Sequence, residues 1–249
     1  MMRSGNNYTV MSIPPFRIFC GLAAIIFLLI ITHSGVQICW KTQACGILTS
    51  PINYHGYLFD LSKESNIPTW FSVVQIFMVA VVLAIAAYTE HTRFESSTAW
   101  WGLCAIFTYM SLDEATDMHG LWRAGMIDYV IPGTNSAHFA WIIPGIIIVL
   151  VIAIVYLRWI LSLPTRTRVL FIIAGVVFIS GGLGLEVVGA YMADESYMNT
   201  SYLIVATAEE ALEMLGILIM LYAVLLHLEG KGVKLALFAQ AGSHSSTSG

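Results

Sequence analysis

Six stretches of this chain are apolar for about as long as a helix needs to cross a lipid bilayer, and that excludes most folds. A spanning helix requires about 20 predominantly apolar residues. The stretches run roughly over residues 18–36, 70–88, 99–119, 138–161, 168–192 and 202–228. In hydrocarbon, backbone polar groups must be bonded within the segment, so each stretch is read as a helix. Composition agrees: 58% of residues are hydrophobic and only 10% are charged, against about 25% charged in a soluble domain. The expectation is an all-α polytopic membrane protein with one six-helix domain over residues 1–230. A disordered cytoplasmic tail is expected over residues 231–249. The first stretch lacks a small-residue cleavage site and reads as a retained helix rather than a signal peptide.

Lys and Arg set the orientation. Arg3, Arg17, Arg93, Arg158, Arg166, Arg168, Lys231 and Lys234 fall on one side of the six segments. Only Lys41, Lys63 and Arg123 fall on the other. Both termini are therefore predicted to be cytoplasmic in an inner (plasma) membrane, with residues 37–69 forming an outer loop. Cys39 and Cys45 lie in that loop, where an oxidising compartment permits a disulfide. Cys20 and Cys104 sit in apolar segments and read as packing residues. The formal charge of -4 and the lack of any basic run argue against nucleic acid as a partner. No Gly-rich phosphate loop, zinc Cys pattern or Gly-x-Ser-x-Gly elbow is present.

The acids carry the functional signal. Asp113, Glu114, Asp117, Glu186, Glu209, Glu210 and Glu213 lie in or at the ends of the apolar stretches, with no Lys or Arg well inside them. A carboxylate in hydrocarbon is costly and by default marks a functional site. These acids must be protonated, solvated in a cavity or neutralised by a bound cation. Helices three and five run outward and helix six inward, so all seven fall in one outer layer. With about 1.5 Å rise per residue, Glu210 lies roughly 12 Å below the outer end of its helix. Asp113, Glu114 and Asp117 share a face by three- and four-residue spacing, as do Glu209, Glu210 and Glu213. His33, His119 and His138 flank the layer.

Carboxylates and a histidine projecting from facing helices are the device by which helix bundles hold two metal ions. Hard carboxylate oxygens with a few imidazoles suit iron, manganese, zinc or magnesium. The predicted ligands are Glu114, Glu186, Glu210, Glu213 and His138. Asp113 and His119 are assigned to catalysis, as an orienting carboxylate and a proton carrier. The simpler readings are a solvated helix end for Asp117 and His119, an interfacial or core role for His33, and protonated acids that join helices by hydrogen bonds. The run from Ser180 to Gly184 reads as close helix packing. If the helix opened there, freed carbonyls would lie beside Glu186.

Four strings carry a resemblance: Asn66 to Ser72 (NIPTWFS), Ser111 to His119 (SLDEATDMH), Gly184 to Glu186 (GLE) and Glu209 to Gly216 (EEALEMLG). Together they resemble a family of small bacterial multi-pass membrane proteins with no established reaction. The resemblance implies the six-helix architecture and the same choice of acidic residues. In that family the third-helix string continues His-Glu, whereas here it reads His119-Gly120. One acid of the pattern is missing.

The leading expectation is a membrane enzyme that uses a divalent metal (iron, manganese or zinc). Its substrate would be lipid-like or apolar and would enter from the outer leaflet of the bilayer. The alternatives are a proton- or cation-coupled transporter and a non-catalytic assembly subunit.

Overall fold

The computed structural model describes residues 8–42, 56–93, 95–118, 137–192, 199–234 and 236–240. Six long helical runs are present among them: α1 (Pro15–Thr42), α2 (Ile67–Thr92), α3 (Thr98–Thr116), α4 (Ala137–Ser162), a composite fifth run and α7 (Thr200–Gly230). The fifth run comprises α5 (Thr165–Ile179), a π-helical segment (Ser180–Leu185) and α6 (Glu186–Met192). Five of the six runs are long and apolar enough to cross a membrane; α3, with its tryptophans and two acids, is not. This marks the chain as a membrane protein.

Local chemistry sets the starts of the helices. Asn66 caps α2, its side chain accepting from Thr69 N–H at 3.1 Å, with Pro68 in the first turn. Asn199 caps α7 in the same way through Tyr202 N–H at 2.7 Å. A side-chain oxygen thus satisfies one of the amides that a helix N-terminus leaves without a partner.

The ends differ from the sequence expectation. α1 runs on to Thr42, so His33 lies within the helix rather than closing it. α2 runs on to Thr92 and takes in Glu90, because a spanning helix continues through polar residues where a partner receives them. α3 stops at Thr116, and Asp117 turns left-handed with φ of 50°. That turn removes Asp117 from the helical face expected to join it to Asp113 and Glu114.

α2 and α7 are the central pair, with 56% of each apolar window buried, against 6% for α4. Glu90 meets His227 near the C-terminal ends of both helices, so the two run parallel. Their seam is built from Val79, Leu83, Ala86, Leu221 and Val224, all essentially inaccessible. α3 packs along α2, α1 and α5 pack on α7, and α4 stands at the edge with a row of exposed isoleucines and valines. Gly216 lets α7 approach the backbone of α5 at Phe178.

At one end of the bundle, β1 (Tyr8–Ser12) pairs antiparallel with β2 (Ala236–Gln240), with Tyr8 opposite Gln240 and Ser12 opposite Ala236. Where the sequence reading leaves everything after Gly230 unstructured, this strand is a correction. The pairing brings β1, just before α1, and β2, just after α7, to one end, here called the terminal end. The opposite end carries the connection between α1 and α2 and is called the loop end.

Candidate functional site

The loop end is assembled around Asn66 and His33. The Asn66 Nδ2 donates to the carbonyls of Tyr57, Asp60 and Lys63 at 3.2, 2.6 and 2.9 Å. This fixes the turn before α2. Asp60, 1% exposed, accepts from Ser62 N–H at 3.0 Å, Ser62 Oγ at 2.7 Å and Gln37 Nε2 at 3.2 Å.

His33 is equally buried and is held on both ring nitrogens. Leu61 N–H donates to Nδ1 at 3.0 Å, while Nε2 meets Thr207 Oγ1 at 3.0 Å. Thr207 donates its own proton to the Leu203 carbonyl at 2.6 Å. This pattern gives Nδ1 an N–H donor and Nε2 a hydroxyl oxygen as neighbours. Asp60 Oδ1 also lies 3.3 Å from Nδ1. Burial alone would raise the Asp60 pKa; the His33 contact and the Ser62 hydrogen bonds outweigh it and hold the carboxyl below its usual range. His33 thus takes the core role and is not a free ligand.

The acids on α7 gather around Glu210. The charges acting most strongly on it are all carboxylates: Glu213, Glu114, Glu64 and Glu209, in that order. Glu114 of α3 and Glu210 and Glu213 of α7 lie toward the same end of the bundle, while α3 itself packs along α2. Glu64, from the turn before α2, is an addition that the sequence did not single out. Its carbonyl accepts from the Tyr57 hydroxyl at 2.5 Å. Its distance along the chain from any helical acid hid its role. Of the cations at this end, Lys41 donates to Thr200 Oγ1 at 2.5 Å, at the first residue of α7, and Lys63 immediately precedes Glu64 in the turn before α2.

The π-helical segment lies against the same acids. A Cβ at Gly182 would come within 2.7 Å of Glu213 Oε1, and one at Gly181 within 2.8 Å of the Glu209 carbonyl. Only glycine admits α7 at this distance. Single π-helical turns inside α-helices are frequent at functional sites. Glu186 is half-buried and begins α6 immediately after this segment. Asp113 is half-buried near the end of α3.

His119, Cys45 and Arg123 lie outside the described residues, and of His138 only the backbone is described. Cys39 is disulfide-bonded. Among the described residues, no three His, Cys, Asp or Glu side chains stand close enough together to form a ready-made metal cage. The donors that the described residues supply around Glu210 are oxygens only, a set that suits a hard cation such as magnesium or manganese.

A second polar cluster, which the sequence reading missed, occupies the terminal end. Glu90 (3% exposed) receives His227 Nε2 at 2.7 Å and Lys231 Nζ at 3.1 Å. Lys231 also reaches Glu95 at 2.7 Å, and its carbonyl accepts from Arg93 at 2.6 Å. Trp100 lies over the His227 ring with centroids 4.6 Å apart, and meets Trp159 of α4 edge-on at 4.9 Å. Burial alone would lower the Lys231 pKa, but its bonds to Glu95 and Glu90 raise it above the usual value. Here each carboxylate has a cation, so the cluster balances itself.

No curated protein and no solved structure matches the chain. Residues 20–228, from within α1 to near the end of α7, match the domain of unknown function DUF8692, and the chain belongs to that family.

Proposed function

We propose that the protein binds a divalent cation among the carboxylates at the loop end and uses it to assist hydrolysis or oxidation of a lipid-like or apolar substrate. One arrangement supports this reading: α7 carries Glu209, Glu210 and Glu213 where the π-helical turn lies against it, with Glu213 Oε1 facing Gly182. Like charges gathered in a poorly solvated place need protons or a cation. Glu114, Glu210 and Glu213 are the proposed ligands, with Glu186 and His138 completing the shell. A bound cation would draw these side chains together. Asp113 and His119 orient a ligand and carry a proton. In this reading the loop end faces outward from an inner (plasma) membrane, as the Lys and Arg bias favours, and substrate enters from the outer leaflet.

A second reading, proton- or cation-coupled transport, draws on Glu90 and His227 at the far end of the same α2–α7 seam. Fourteen residues separate Glu213 from His227, roughly 21 Å of helix, and the seam between them is apolar. That separation favours the first reading.

The test is elemental analysis of the gently purified protein beside Glu210→Gln. About one or two equivalents of metal in the parent, lost in the variant, is the expected result. No metal above background, with both proteins equally stable, would overturn the cation reading and bring transport forward.

A further inference from the structure

Gln75 of α2 is 1% exposed, and neither its Nε2 nor its Oε1 has a hydrogen-bond partner among the described residues. A buried amide without partners is costly, and in native proteins such a group calls for an explanation. Hydrophobic packing does not supply one, since leucine or methionine would fill the same space at no such cost.

Helix register gives the position of this amide. α2 and α7 run parallel, and Glu90 meets His227. Counting fifteen residues back along each helix, Gln75 stands level with Leu212, between Glu210 and Glu213. With about 1.5 Å per residue, it lies within roughly one helical turn of both. α3 agrees: Ser111 donates to the Val73 carbonyl at 3.0 Å. This sets Ser111 beside the residue two before Gln75, and because α3 runs antiparallel to α2, Glu114 stands between one and two helical turns nearer the loop end than Gln75. The facing is consistent as well. Gln75 and Phe71 are four apart on α2, Glu210 and Met214 four apart on α7, and spacing of four keeps each pair on one face. Phe71 and Met214 belong to one buried cluster.

We propose that Gln75 is a ligand of the cation site, its amide Oε1 joining the carboxylate oxygens of Glu210, Glu114 and Glu213. The amide Nε2 then donates to one of those carboxylates and holds it in place. This rests on the cation reading above and narrows it to hard divalent ions of the manganese, magnesium and calcium class, which take carboxylate and amide oxygens together.

The experiment uses the full chain in detergent, with manganese chloride alone as the probe, and reads calorimetric binding and melting temperature. The parent is expected to bind manganese and melt higher with it. Gln75→Leu is expected to melt at or above the parent in chelator, because it removes an unpartnered amide, while its manganese affinity falls about 10- to 100-fold. Gln75→Glu, which keeps an oxygen at that position, should retain or tighten binding. It also decides the matter if the leucine variant does not fold: weaker manganese binding than the parent's refutes the assignment. Unchanged affinity in Gln75→Leu removes Gln75 from the site and leaves the cation reading standing. No manganese binding by the parent overturns both.

Discussion

Gly216→Ala isolates the contact that holds the carboxylate helix against its neighbour. A Cβ at Gly216 would lie 2.7 Å from Phe178 N, 2.7 Å from Phe178 Cβ and 2.8 Å from Phe178 Cα. Ordinary contact begins at 3.4 Å, so α5 and α7 must part by about 0.7 Å. Two of the opposing atoms are backbone and cannot rotate aside. Gly175 of α5 is the matched control, with nothing within 4 Å of its would-be Cβ. Both positions gain about 0.8–1 kcal/mol from replacing glycine by alanine inside a helix. Only Gly216 meets the overpacking cost, about 1–3 kcal/mol. Gly216→Ala should therefore be less stable than Gly175→Ala by about 1–3 kcal/mol, and Gly175→Ala should equal or exceed the parent. Thermal unfolding in detergent, followed by loss of monodisperse elution, measures the difference. If Gly216→Ala proves as stable as Gly175→Ala, α7 does not approach Phe178 as closely as described, and the placement of Glu213 against Gly182 falls with it.

Glu90→Ala should cost about 3–5 kcal/mol, since it leaves a buried partner uncompensated. The double variant Glu90→Leu with His227→Leu should lose less than the single change, as denaturant titration can show. The Lys231 pKa is raised in the folded state, so its contribution is complete below pH 10.5 and disappears as pH rises through the folded value. At the loop end, Asp60 is depressed. Its contribution is complete above its ordinary 3.8 and is lost as pH falls through the folded value. Limited proteolysis across acid pH should therefore find the turn before α2 released in the parent, and Asp60→Asn should flatten that dependence.

The depth of the acids was legible in the sequence, because apolar length fixes where a helix starts and 1.5 Å per residue does the rest. Glu209, Glu210 and Glu213 fall in the first half of α7 as that depth implies. Their orientation about the helix axes was not legible, since it depends on which neighbours each helix meets. Gln75 shows the limit: it is one amide in an apolar run until the partner of Glu90 fixes the register. Glu90 was missed because hydropathy falls after Tyr88 and the reading ends the helix there. Its partner His227 lies 137 residues away, beyond any local pattern. The glycines before Glu186 read as simple packing. They do pack, but as a π-helical turn set against a carboxylate.

The two polar clusters differ in make-up, and the proposed function gives them different work. At the terminal end, Glu90 and Glu95 share Lys231, and His227 closes the set, so the cluster is complete within the chain. A self-balanced buried network joins helices and asks for nothing else. At the loop end, Lys41 bonds Thr200 at the head of α7, ten residues before Glu210. Under the proposed reading a hard cation takes the carboxylates there together with the Gln75 amide oxygen, and the terminal cluster is the clamp that holds α2 and α7 in the register that site requires.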